Sequence, residues 1–152
     1  MAHLSDVRKE LARYCQCYRH PKLPPLELSG VYSLFPEKYK KLPKEVTARW
    51  PDDDWPNGDK PGVYLFLDSK LNVRYIGKTT MWSSLKQRLS AYFRYSDKVQ
   101  KRCSIPKEHG WSIQPEFVVT IGVPLRTAFE SSAIEEYLIN RLRPPENTIG
   151  IA

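Results

Sequence analysis

No stretch of this sequence reaches the roughly 18 consecutive apolar residues of a membrane-spanning helix. A membrane partner is therefore not expected. The opening residues, Met1 to Glu10, lack the apolar core of a secretory signal. Only three cysteines are present, Cys15, Cys17 and Cys103, and three cannot all pair with one another. Their scarcity excludes a disulfide scaffold and points to a reducing, cytoplasmic setting. Thirteen prolines and four tryptophans exclude a coiled coil and low complexity. No zinc finger or helix-turn-helix is evident, so no separate DNA-recognition module is expected. Cys15, Cys17 and His20 form no usual zinc spacing, and the cysteines read as buried or inert thiols. Acidic residues are the scarcer sign, 17 against 24 Lys and Arg, for a net charge of +7. An excess of this size favours a polyanionic partner without identifying one.

What is present suits one compact domain, with 152 residues of which 41% are hydrophobic. Leu4, Val7, Leu11, Tyr14, Cys15 and Tyr18 recur at helical spacing over residues 4–19, and His20-Pro21 ends that helix. A proline-rich connector leads to a possible short strand at Val31 to Phe35. Residues 37–44 are lysine-rich, and Asp52-Asp53-Asp54 lie in a turn-dense loop that reads as exposed and acidic. Residues 1–58 thus read as an N-terminal extension packed on a core at 59–149.

Two aromatic and β-branched runs, Val63 to Leu67 and Val73 to Ile76, flank the polar stretch Asp68 to Asn72, which predicts a β-hairpin. A register in which opposed residue numbers sum to an odd value puts Tyr64 and Tyr75 on one face. A helix follows over about 82–94, with Leu85, Leu89, Tyr92 and Phe93 as its apolar stripe and Thr80 or Ser83 as its cap. Lys86, Arg88, Arg94, Lys98, Lys101, Arg102 and Lys107 surround Tyr92, Phe93 and Tyr95, a pattern suited to nucleic-acid contact. Pro115 to Val123 reads as a strand. Thr127 to Glu130 reads as a capping box opening a helix to about Arg143, with Ala133, Ile134, Tyr137 and Leu138 buried. The order β-β-α-β-α gives an α+β fold, a small antiparallel sheet flanked by helices. Gly30-Val31-Tyr32 duplicates Gly62-Val63-Tyr64 but lies too far from Tyr75 for a simple hairpin.

Gly62-Val63-Tyr64, ten residues, then Tyr75-Ile76-Gly77-Lys78 resembles the signature of the GIY-YIG endonuclease family. Arg88 to Phe93 resembles the catalytic-arginine segment found in the incision subunit of bacterial excision repair. Glu135 to Pro144 resembles the segment carrying its metal-binding glutamate, and Asn147 matches the asparagine that closes the module. The resemblance covers about residues 60–149. From position alone, Arg88 reads as a surface salt bridge and Glu135 as a helix-surface partner of a nearby cation. The resemblance assigns them differently.

It implies a metal-dependent DNA endonuclease with Tyr64, Tyr75, Arg88 and Glu135 as catalytic residues. One tyrosine takes the proton of the attacking water, and must sit near a positive charge to ionise at neutral pH. Arg88 holds the scissile phosphate, and Glu135 holds a single Mg²⁺ or Mn²⁺. Gly77, Lys78, Lys86, Arg94 and Asn147 are expected at the substrate, which is duplex or branched DNA. A homodimer or larger nuclease assembly fits this reading. The alternatives are a catalytically inactive nucleic-acid-binding module and a protein-interaction domain on the same fold. Two departures stand out. The connection from Gly77 to Arg88 is about two residues longer than in the repair subunit, with Trp82 inside it. The place held by a histidine in some restriction-type members is Tyr92.

Overall fold

In the computed structural model, residues 1–35, 44–49, 55–95, 103–104 and 110–147 are described. The lysine-rich run from 37 to 43, Asp52 to Asp54 and most of the basic insert lie outside them. Strand β4 (Gly62–Leu67) is buried at every position, because it has a strand on each side and a helical layer on each face. Its parity divides two cores. Val63, Leu65 and Leu67 face one cluster. Tyr64 and Phe66 face the other.

The elements are α1 (Leu4–Tyr18), β1 (Glu27–Leu28), β2 (Val31–Ser33), β3 (Val46–Arg49), β4, β5 (Val73–Lys78), α2 (Leu85–Tyr92), β6 (Arg94–Tyr95), β7 (Cys103–Ser104), β8 (Phe117–Gly122) and α3 (Glu130–Leu142). The main sheet runs β3-β2-β8-β4-β5, with β1 also paired to β8. Strand β8 opposes β4 along its whole length, from Gly62↔Gly122 to Leu67↔Phe117. All pairs are antiparallel except β2 with β3, which run parallel. The Gly30-Val31-Tyr32 duplicate therefore joins the same sheet, on the far side of β8 from the hairpin. No helix among the described residues is long and apolar enough to cross a membrane.

Helices α1 and α3 cover one face. Leu4, Val7, Leu11 and Tyr14 share a core with Ile134, Leu138, Ile139 and Leu142. Helix α2 covers the other face through Leu85, Leu89 and Tyr92. The α3 stripe differs from expectation, since Ala133 is exposed and Tyr137 half-buried. The Thr127 to Glu130 capping box does not form either. Pro124 leads instead into a 3₁₀ turn, Leu125–Thr127, and α3 begins without a side-chain cap. Glu130 is buried in an ion pair with Arg19, which withdraws it from the backbone it was expected to cap.

Strand β5 ends the sheet, and its outer edge is covered for most of its length. Val73 N–H donates to the Ala2 carbonyl (2.8 Å), and Glu146 N–H donates to the Arg74 carbonyl (3.0 Å). The Asn147 amide accepts from Ile76 N–H (2.9 Å) and donates to the Ile76 carbonyl (2.8 Å). Covering an edge in this way protects it from pairing with another chain. The cover stops at Ile76. Gly77 and Lys78 continue into the wall of a cavity.

Candidate active site

The hairpin register brings the two signature tyrosines together. Val63↔Lys78, Tyr64↔Gly77, Leu65↔Ile76 and Phe66↔Tyr75 all sum to an odd number, with an irregularity only beyond Phe66. Tyr64 and Tyr75 therefore share the α2 face, their ring centroids 6.2 Å apart. Gly77 lies under the Tyr64 ring. A Cβ at this position would come within 2.3 Å of the Tyr64 Cζ and hydroxyl oxygen. Its φ is not positive, so the requirement for glycine is steric and comes from the neighbouring strand.

Helix α2 supplies the next two groups. Ser84 caps its start and forms a capping box with Gln87, so the helix begins later than the sequence predicts and Trp82 stays outside it. Leu85 and Leu89 anchor the helix in the core. One turn apart on its rim stand Arg88 and Tyr92. Arg88 Nε donates to the Tyr64 hydroxyl at 3.2 Å, and the guanidinium carbon lies 5.4 Å from the Tyr92 ring centroid. The Tyr64 hydroxyl donates to Tyr92 at 3.1 Å, and the Tyr75 and Tyr92 hydroxyls are 3.4 Å apart. Tyr92 thus bridges two tyrosines that do not bond each other directly. Arg88 makes no ion pair among the described residues.

Glu135 arrives from the opposite layer. Its helix is fixed by Ile134 on the core side, and because β5 is the last strand, a carboxylate beside Ile134 reaches around the sheet edge. Tyr64, Tyr75, Gly77, Lys78, Arg88 and Glu135 consequently line one cavity of about 500 Å³. Burial pushes the Glu135 carboxyl above its ordinary range, opposed by the Lys78 and Arg88 charges and assisted by Glu136. Its Oε2 is buried and has no hydrogen-bond partner among the described residues.

Burial also raises both phenols. Tyr64 is fully buried, and desolvation, the Tyr92 hydroxyl and Tyr75 outweigh the Arg88 charge beside it. Tyr75 is raised for the same leading reason, with Tyr92 and Glu135 adding to it. The nearby cation was expected to make one of them acidic. Desolvation is the larger effect in this cavity.

The remaining expected contacts separate. Lys78 lines the cavity. Lys86 projects elsewhere, into a groove with Trp55, Asn57, Gly58 and Ser84. Asn147 is 6% exposed, and its amide is engaged on the Ile76 backbone, so it positions β5 and is not directed to a ligand. The side chain of Arg94 lies outside the described residues. Cys15 and Cys17 are free thiols, and no cluster of three or more His, Cys, Asp or Glu suited to a metal occurs among the described residues. Tyr92 was not among the expected site residues, although the sequence placed it where some restriction-type members carry a histidine. Its position one helical turn after Arg88 was the available signal.

Residues 60–148 match the family model of the UvrC-like GIY-YIG domain. UvrABC system protein C of Carboxydothermus hydrogenoformans is 34% identical over 91 residues, covering 60% of this chain and 13% of that protein. The protein of the same name from Methanothermobacter thermautotrophicus is 36% identical over 89 residues, 59% of this chain and 13% of its own length. That from Pseudomonas aeruginosa is 32% identical over 91 residues, with 60% and 13% covered. The chain thus spans about an eighth of the length of these curated relatives. No solved structure gives a significant match.

Proposed function

The chain belongs to the UvrC-like GIY-YIG family, and we propose that it is a metal-dependent endonuclease that hydrolyses phosphodiester bonds in DNA. The observation that carries this reading is the convergence of Tyr64, Tyr75, Arg88 and Glu135 on one cavity from four separate elements. A binding module has no need of a desolvated carboxylate in a basic cavity, because that charge repels phosphate.

The residues fit a hard divalent cation. Mg²⁺ keeps several waters and is held by one or two carboxylates together with substrate phosphates. A single carboxylate with a buried, unpartnered oxygen therefore suffices, and no cluster is required. Glu135 would hold the ion. When bound, Mg²⁺ or Mn²⁺ supplies positive charge to the leaving oxygen.

The side chains of the chain itself do the rest. Arg88 binds and orients the scissile phosphate, since its Nε is fixed on Tyr64 and it makes no ion pair among the described residues. Lys78 adds charge on the same rim. Tyr64 or Tyr75 takes the proton of the attacking water, and Tyr92 holds both hydroxyls in place. Gly77 keeps the Tyr64 ring seated. Similarity to UvrABC system protein C supports a role in DNA repair, with duplex or branched DNA as the substrate class.

The test is incubation with supercoiled plasmid and with flapped and branched duplexes, with and without Mg²⁺. Nicking that requires the metal is expected. Arg88→Ala abolishes it while costing only about 1 kcal/mol of stability, because one hydrogen bond and one ring contact are lost. Retention of DNA binding with no cleavage of any substrate by the native chain would identify an inactive binding module instead.

A further inference from the structure

Trp82, at 95% exposure, is the most exposed large apolar side chain among the described residues, and Met81 beside it is 54% exposed. Both occupy the turn between β5 and α2. That turn is closed by its own hydrogen bonds. Thr80 N–H donates to Ser83 Oγ at 3.0 Å, the two hydroxyl oxygens are 3.0 Å apart, and Ser83 N–H donates to the Thr80 carbonyl at 3.3 Å. Ser84 then caps α2 immediately afterwards. Thr80 and Ser83 also line the catalytic cavity. The base of the turn is therefore part of the cavity wall, and the indole stands at its tip with its face to solvent. An aromatic ring held in water on a hydrogen-bonded turn, at the rim of a cavity with Arg88 and Lys78, is suited to a flat, apolar ligand attached to phosphate.

Building on the nuclease reading above, we propose that Trp82 stacks on an unpaired nucleobase next to the scissile phosphate, so that the protein selects DNA in which that base already lies outside the duplex. The relative sizes of two effects decide this. One base–aromatic stack strengthens binding by about 5- to 140-fold, which is about 1–3 kcal/mol at about 1.4 kcal/mol per tenfold. Forcing an aromatic wedge into an intact stack costs a comparable amount, and the cost is least where the base is mismatched or single-stranded. A single indole therefore returns little on a continuous duplex and its full value at a flap, branch or mismatch. Arg88 and Lys78 attract the backbone of either DNA, so they do not discriminate.

The experiment compares affinities of the full chain for a fluorescein-labelled flapped duplex and a continuous duplex of equal length. It is run in EDTA by fluorescence anisotropy, so that binding is read without cleavage. The native chain is expected to prefer the flapped DNA. Trp82→Ala is expected to reduce that preference, measured as the ratio of dissociation constants, by about tenfold, and Trp82→Phe to restore most of it. The alanine variant should melt with the native chain, because the indole it removes is exposed. An unchanged ratio in Trp82→Ala, whether both affinities hold or both fall together, overturns the inference while leaving the nuclease reading intact. Failure of the native chain to bind either DNA overturns both.

Discussion

The substitution Gly77→Ala places a methyl carbon 2.3 Å from the Tyr64 phenol, closer than any real contact, so the ring has to move. The Tyr64 hydroxyl is held by Arg88 and Tyr92, and moving it disturbs the whole rim. Overpacking of this kind costs about 1–3 kcal/mol. Thermal melting and a cleavage assay together should show a modest loss of stability and a much larger loss of rate; native-like cleavage would mean that Gly77 does not seat Tyr64. The two phenols make a second prediction, on pH. Both lie above their ordinary value of 10.0, so the phenolate fraction grows tenfold per pH unit across the neutral range. If a phenolate is the base, the logarithm of the rate rises with unit slope through about pH 9. Tyr64→Phe or Tyr75→Phe, whichever removes the base, flattens the profile, and a native plateau near pH 7 points to another acceptor. Glu135 gives a third. Its folded-state pKa is raised above 4.5, so the stabilising contribution belongs to the protonated form, is present below the unfolded pKa, and is lost as pH rises through the folded value. Glu135→Gln should therefore raise the melting temperature at pH 7 in EDTA, and the gain should vanish below about pH 4. A lower melting temperature at pH 7 would make Glu135 a structural residue. Of these residues, Tyr64 and Tyr75 stood out in the hairpin pattern, whereas Arg88 and Glu135 were singled out only by the family resemblance. The bridging role of Tyr92 and the steric reason for Gly77 were not, because each depends on which side chain lies across from it.

At the scale of the element, β5 carries the burden of alignment. It holds Tyr75 and Gly77, and Ile76 between them has both backbone groups bonded to the Asn147 amide. Asn147→Ala leaves a buried N–H and C=O without partners, at about 2 to 4 kcal/mol together, or roughly 5–15 °C in melting temperature for a chain of this length. Cleavage should fall with it, while Asn147→Asp, which keeps only the acceptor, should recover part of the stability. A variant that melts like the native chain would show that the Ile76 edge needs no cover. The elements themselves were largely legible. Aromatic and β-branched runs bounded by turn formers pointed to β4, β5 and β8, and helical periodicity to α1 and α3 within a residue or two of their ends. The failures share a cause. Glu130 was expected to cap its own helix, yet it pairs with Arg19, 111 residues away in sequence. The capping box of α2 is Ser84 with Gln87, one residue beyond Ser83 and four beyond Thr80, the two candidates, which bond each other instead. Local patterns cannot show which partner a polar side chain finds at long range.

At the scale of the molecule, the residues before the signature are part of the same body. Val31 and the α1 residues Leu4, Val7, Leu11 and Tyr14 lie in one core with α3, and the segment at Ala2 lies on the edge of β5. The stretch with no evident sequence motif thus supports the helix that carries Glu135. Its pairing with β8 through β1 and β2 was not expected, since two- and three-residue strands leave no periodic signal. A net charge of +7 predicts attraction to DNA of any sequence, weakening steeply with salt. Chemistry should be separable from that attraction at one residue. The most direct measurement is single-turnover cleavage of a flapped duplex by Glu135→Gln in Mg²⁺, with DNA affinity measured on the same preparation. The substitution keeps size and polarity and removes the charge that a hard cation needs. The expected result is affinity at least equal to the native chain, because one negative charge has left the cavity, with cleavage slower by about a hundredfold or more and little recovered by added Mg²⁺. Cleavage at the native rate would contradict the account by placing the metal away from Glu135.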